Sequence, residues 1–297
     1  MAKKRPVPAQ RPDPSAALAD LETPRANWKV IAQIAAVFAV VWLLAFMVKP
    51  FLGIWGFVVA GVLTAIGAGF GIYVYRLTRK SSNIVEILKG ATDAEGRKAA
   101  LERLRSEAGP GGKDAMNALA QAQLLAAEQD PDGAIRTLEA IDIDDVPAMM
   151  RDDVRSNLAL LYLSTNRTKD ARTLANAIEP DRQPQAKAKA MYVAVVAEAK
   201  ARTGAAEEAM TLLDPYKGGD PALTEMEPLL LRAKVYAAFH AKKRNLAKTQ
   251  IEKLASIDPN MLGPFFVKNA NPELAQLAKT VLQQAGVIPR GPKMRMR

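Results

Sequence analysis

The sequence predicts an all-α chain in two parts, an N-terminal two-helix transmembrane hairpin followed by a solenoid of stacked helix pairs. Three observations carry that expectation. Residues 28–75 hold only two charges, Lys29 and Lys49. Further on, four segments each read as apolar helix, polar break and second apolar helix, recurring at a nearly constant interval. Charge is also unevenly placed: residues 1–80 carry a net +7 and 290–297 a net +4, whereas 81–289 carry −1. The folded part is therefore not basic, and the overall +10 gives no support to nucleic-acid binding.

Composition removes most enzyme chemistries. With no cysteine there is no disulfide, no thiolate metal site and no cysteine nucleophile. With His240 as the single histidine, paired-imidazole metal sites and a confident Ser–His–acid triad also fall away. No constellation of acid, base and nucleophile is visible, so the chain is not expected to be an enzyme or to carry a cofactor.

Residues 1–27 contain five prolines, little apolar content and no period, and read as a disordered basic tail. Residues 28–80 form the hairpin. The uncharged run would be roughly 72 Å long as one helix, more than twice a hydrocarbon core of about 30 Å, so two spans are expected. Val30 to Val48 and Phe51 to Tyr75 are the spans and Lys49-Pro50 the turn, where proline breaks the helix and lysine reaches the headgroups. Trp28, Trp42, Trp55, Tyr73 and Tyr75 supply interfacial aromatics. A cleavable signal peptide fits poorly, because the run is too long and lacks a small-residue cleavage site. Gly61, Gly67 and Gly71 make a small-residue face on the second span that can pack on the first or on a second copy of the chain. Positive flanks on both sides of the hairpin predict both termini in the cytoplasm of a cell whose inner membrane holds the spans.

Residues 81–112 form a helical connector, with Ile84, Val85, Ile87 and Leu88 and then Ala99, Ala100, Leu101 and Leu104 at helical spacing. The loop Gly109-Pro110-Gly111-Gly112 follows. Its Gly112-Lys113 pair resembles part of a phosphate loop, but no strand precedes it and no Ser or Thr follows the lysine.

Residues 113–263 contain the repeats. Aligned on an alanine in each second helix, they read Ala134/Leu138/Ile141, Ala171/Ala175/Ile178, Ala206/Met210/Leu213 and Ala247/Ile251/Leu254, at steps of 37, 35 and 41 residues. One helix pair cannot bury its apolar face alone, so the pairs must stack. Within them, Asp145 before Pro147 is expected to start a helix, and Asp152 and Asp153 to favour its positive end, rather than to bind calcium with Asp142 and Asp144. Asn166-Arg167-Thr168 falls where an inter-helix turn belongs, and His240 beside Lys242 to Arg244 reads as a helix C-terminus. Residues 264–289 hold a capping helix, Pro272 to Ala285, with Asn271 as N-cap. The basic tail 290–297 closes the chain.

On these residues the chain resembles the tetratricopeptide repeat family over about 114 to 259. Ala159, Tyr162 and Ala171 match the family pattern of a small residue, a tyrosine three later and an alanine twelve later. Ala122 with Ala134 and Ala194 with Ala206 repeat the small pair, and Ala233 with Tyr236 restores the tyrosine although Ala247 comes two residues late. Pro259 stands near the family's closing proline, while the family's Trp and Gly are missing, and a generic helix-pair repeat is the alternative.

The resemblance implies a concave groove formed by the first helices of the pairs. By register its positions are Met116, Leu119, Gln123, Ser156, Leu160, Met191, Val195, Leu230 and Lys234. Leu160 and Val195 stand where the family's carboxylate clamp needs asparagine, so that clamp is not expected. A largely apolar groove suits an apolar segment of a protein partner, and the alternative is that these residues are core covered by the C-terminal helix. The expected function is a membrane-anchored scaffold that recruits partners at the cytoplasmic face, similar in architecture to bacterial membrane-tethered tetratricopeptide proteins of the heme-biosynthesis-associated and lipopolysaccharide-assembly types. A subunit of a transport or secretion complex acting through its spans is the second reading. The partners implied are proteins at the groove and lipid around residues 28–80, without nucleic acid, and a homo-oligomer through the second span is open.

Overall fold

The computed structural model describes residues 33, 36–43, 45–47, 55–91, 93–107, 114–267 and 270–288. Among these the regular structure is entirely helical, which agrees with the all-α expectation. The tail 1–27, the turn at Lys49-Pro50, the loop 109–113 and the tail 290–297 lie outside the described residues. The chain divides into two units, with the boundary between Arg103 and Leu104.

In the first unit, residues 36–43 are helical and lie against α1, Trp55–Lys89. Trp42 Nε1 donates to Thr64 Oγ1 at 3.0 Å. A Cβ on Gly67 would overlap the Phe38 ring, so the glycine is what lets the aromatic seat there. The second span and the start of the connector, read from the sequence as separate segments, share one continuous helix. No glycine or proline occurs between Ile72 and Lys89, and the polar residues from Arg76 to Asn83 continue the helix as readily as the apolar ones before them. Gly90 is the first breaker. α2, Ala94–Glu107, follows. Among the described residues no helix is both long and apolar enough to cross a membrane; the expected spans extend into residues outside that set.

The second unit is a row of helix pairs: α3 (Ala115–Ala127) with α4 (Pro131–Glu139), α5 (Ala148–Ser164) with α6 (Thr168–Ala175), α7 (Ala186–Arg202) with α8 (Ala206–Leu213), and α9 (Glu227–His240) with α10 (Arg244–Ile257). Each pair packs on the next, α4 and α3 on α5, α5 and α6 on α7, α7 and α8 on α9. α7 lies in the middle of this row, and Tyr192 to Ala199 are all buried. It is apolar nearly all round for that reason.

One backbone device makes every reversal within a pair. Gln129, Asn166, Gly204 and Lys242 have φ of 62°, 65°, 100° and 61°. The next residue's N–H then donates to the carbonyl five back, of Leu125, Tyr162, Lys200 and Ala238 respectively, as a left-handed helix end requires. The second helix follows, and Ala134, Ala171, Ala209 and Ala247, wholly buried, donate to the carbonyl four back. The repeat thus recurs at steps of 37, 38 and 38 residues. This corrects the sequence alignment in the third pair, where Ala209 and not Ala206 holds the equivalent place. Both alanines are buried on one short helix, and three residues is close to one helical turn, so periodicity alone does not separate them.

The ends agree with the local signals in several places. Asn166 and Arg167 form the inter-helix turn, and His240 is the last residue of α9. Asn271 caps α11, Pro272–Gln284, its side chain accepting from Glu273 N at 2.9 Å. α5 departs from expectation: Pro147 is its N-cap, and Asp145 lies in the preceding turn, donating its N–H to the Asp142 carbonyl. α11 packs on α10 and on the 3-10 turn Pro259–Phe265.

Candidate partner-binding face

Twelve residues before each buried alanine stand Ala122, Ala159, Ala197 and Val235, themselves buried. From these the equivalent rows on the first helices follow. Gln123, Leu160, Glu198 and Tyr236 share one row; Leu119, Ser156, Ala194 and Arg232 a second; Met116, Asp153, Met191 and Leu229 a third. Five expected positions, Met116, Leu119, Gln123, Ser156 and Leu160, keep their places. Met191 stays on the face one row away from its expected place. Val195, Leu230 and Lys234 leave the face: the fourth repeat slips by two residues, a rotation of about 160°, and Val195 follows Ala194 of the second row by one residue, about 100° around α7. Val195 is wholly buried, and Leu230 and Lys234 line a cleft beside the loop Pro215–Asp220.

Exposure along the rows is graded. Gln123 is exposed, Met116, Leu119, Leu160 and Met191 are half-buried, and Ser156 is buried with its hydroxyl donating to the Asp153 carbonyl. At the last repeat the place is filled: the Tyr236 ring lies 5.4 Å from that of Phe265 in the 3-10 turn. The C-terminal segment therefore covers one end of the face by way of that turn.

The third and fourth repeats carry charge where an apolar groove was expected. The Glu198 side chain is 2% exposed and accepts from Arg202 Nη1 at 2.9 Å and Arg232 Nε at 2.8 Å. Arg202 also donates to the Leu163 carbonyl at 2.8 Å and to Asn166 Oδ1 at 2.5 Å, and its guanidinium lies 4.5 Å from the centre of the Tyr236 ring. One carboxylate on α7 thus ties the turn after α5 to α9. Burial pushes the Tyr236 hydroxyl up, against the opposing charge of Arg202 and with a smaller push from Glu198. Burial and then Arg202 hold His240 below its ordinary value.

Two further links join successive pairs. Tyr162 on α5 donates to Glu139 Oε1 on α4 at 2.7 Å, and Arg167 binds the same oxygen at 3.1 Å while covering the tyrosine ring at 4.1 Å. Burial foremost, then Glu139, pushes the Tyr162 hydroxyl up to about 12. Tyr192 on α7 donates to Asp153 Oδ1 on α5 at 2.5 Å, and burial raises the Asp153 carboxyl above its usual range. Asp152 pairs with Arg155 at 3.0 Å and accepts weakly from Glu179 N. Asp153 thus joins α5 to α7 and Asp152 reaches the segment after α6, and neither lies in the first turn of α5. Among the described residues no group of three His, Asp or Glu could hold a metal ion.

The sequence reading missed Glu198, Arg202 and Arg232. Glu198 and Arg202 are four apart and visible as a helical ion pair, but Arg232 joins them only once the third and fourth repeats are in register. Compared with known protein families and with curated proteins, the chain matches no family model and no curated relative.

Proposed function

We propose that the chain is a membrane-anchored, tetratricopeptide-like scaffold, held by residues 28–80 and presenting its helix-pair stack to protein partners at the cytoplasmic face. The observation that carries the anchor is the placement of exposed apolar side chains. Val37, Val40, Trp42, Leu43, Phe46 and Met47 are exposed in the first helical segment, and Val62, Leu63, Ile66 and Ile72 in α1. A patch of that density on one short stretch marks a lipid or protein contact, and its near absence of charge favours lipid. The seat of Phe38 on Gly67 supports a hairpin. For the stack, the buried pairs Ala122/Ala134, Ala159/Ala171 and Ala197/Ala209, each twelve apart, support the family likeness more regularly than the sequence alignment did.

Partner recognition is placed on the open half of the face, around Met116, Leu119, Gln123 and Leu160, where half-buried apolar groups border an exposed polar one. Two measurements test the reading. A cytoplasmic reporter fused to either terminus should be active and a periplasmic one silent; the reverse would remove the topology. Replacing residues 28–80 by an unrelated two-span anchor should preserve partner capture, and loss of function with the stack correctly membrane-bound would favour a role for the spans themselves.

A further inference from the structure

The connection from α8 to α9, Asp214–Met226, is the longest between successive helix pairs, and it bounds a cleft of about 480 Å³. Gly218 and Gly219 have φ of 88° and 79°, a conformation that side-chain-bearing residues rarely take, and Asp220 then caps the next turn by accepting from Ala222 N at 2.9 Å. The 3-10 turn Pro221–Met226 packs on α7 and α9, and the loop before it borders the cleft together with α9 and α10. Lys217, Lys234 and Lys253 reach the cleft from the loop, α9 and α10, and Tyr216, Leu223 and Leu230 give it an apolar wall.

The cleft lining carries three lysines against two carboxylates, Asp220 and Glu227, so its charge is only partly compensated. Lys234 Nζ donates to the Tyr216 carbonyl, a neutral acceptor. Burial first, and then the like charge of Lys253, hold its ammonium below the ordinary lysine range, while Glu227 and Asp214 act weakly the other way. Among the described residues none of the three lysines forms an ion pair; Lys217 and Lys253 are exposed, and Lys234 is half-buried, whereas the half-buried Lys200, Arg202 and Arg232 are each paired with a carboxylate. Asp220 is engaged at the cap and Glu227 lies against Gly218 on the loop side. A desolvated ammonium beside a second ammonium is what an entering anion relieves, and lysine, as a compact charge, suits an oxyanion without demanding a planar fork.

We propose that this cleft binds a small molecule bearing a phosphate or carboxylate group, with Lys234 and Lys253 holding the oxyanion and Tyr216, Leu223 and Leu230 packing on its apolar body. The site is distinct from the partner-binding face and does not rest on that reading. The probe is pyridoxal 5′-phosphate followed by borohydride, used on the full-length protein in detergent: the aldehyde condenses with a neutral lysine amine with loss of water, hydride reduces the imine, and peptide mass mapping locates the product. Lys234 should be labelled several-fold faster than the exposed Lys187, and either inorganic phosphate or succinate should slow Lys234 while leaving Lys187 unchanged. Protection by phosphate alone assigns a phosphate ligand, and protection by succinate a carboxylate. Lys253→Gln, a change at an exposed position with the fold checked by circular dichroism, should abolish the protection. Labelling of Lys234 no faster than Lys187, or fast labelling that neither anion slows, would overturn the proposal.

Discussion

Replacing Glu198 by Ala should be among the most destabilising single changes in the stack. The carboxylate is 2% exposed and is the shared acceptor for Arg202, 7% exposed, and Arg232, 15% exposed. Its removal leaves two guanidiniums inside the protein without a counter-charge. Arg202 retains the Leu163 carbonyl, Asn166 and the Tyr236 ring, but Arg232 is left worse off, since its Nη2 is already buried without a partner. Breaking a buried pair from one side costs about 3–5 kcal/mol. For a unit of this size that is a fall of roughly 6–20 °C in Tm, at about 2–4 °C per kcal/mol. Urea denaturation followed by circular dichroism measures it, with Glu198→Gln expected to fall between Ala and the parent because it keeps one acceptor oxygen. The triple change Glu198→Leu, Arg202→Met and Arg232→Leu removes all three charges together and should recover to within about 2 kcal/mol of the parent. A loss below about 1 kcal/mol for Glu198→Ala would refute the reasoning, because an exposed pair costs no more than that.

Three other changes test the reversals, the cap and the pH response. Gln129→Gly and Lys242→Gly, at positions whose left-handed φ strains a side-chain-bearing residue, should each raise stability by roughly 0.5–1 kcal/mol in the same denaturation assay, whereas Gly204→Ala should lower it. Asn271→Ala removes the acceptor for Glu273 N and Leu274 N and should cost about 1 kcal/mol, seen as earlier hydrogen exchange in α11. Tyr162, held at about 12 against an ordinary 10.0, binds its proton more tightly when folded. Its contribution is therefore complete below the ordinary value and is lost as pH rises from there through the folded value, so the urea midpoint should fall across that window and fall less in Tyr162→Phe.

Local signals made much of the fold legible. Asn271-Pro272 announced the start of α11, the polar break at Asn166-Arg167 announced a turn, and the alternation of apolar helix and polar break announced the pairs. These are properties of a few neighbouring residues, set by which groups can satisfy a helix end or occupy a left-handed bend. The candidate face was legible only in its first half, through Met116, Leu119, Gln123, Ser156 and Leu160, where the pattern of the first two repeats is unambiguous.

The tertiary structure decided the rest. α7 is apolar on nearly every side because it lies between neighbours, so its sequence does not tell which side faces which, and the register of the third repeat is fixed instead by the bend at Gly204 and the burial of Ala209. The same holds for charge. A glutamate in a helix reads as a solvated residue, since burying it unpaired is costly; only the arrival of Arg232 from a helix 34 residues away, beside Arg202, makes the interior tolerable for Glu198. Composition and spacing set which helices form and where they end, whereas which faces meet depends on long-range neighbours that no local window contains.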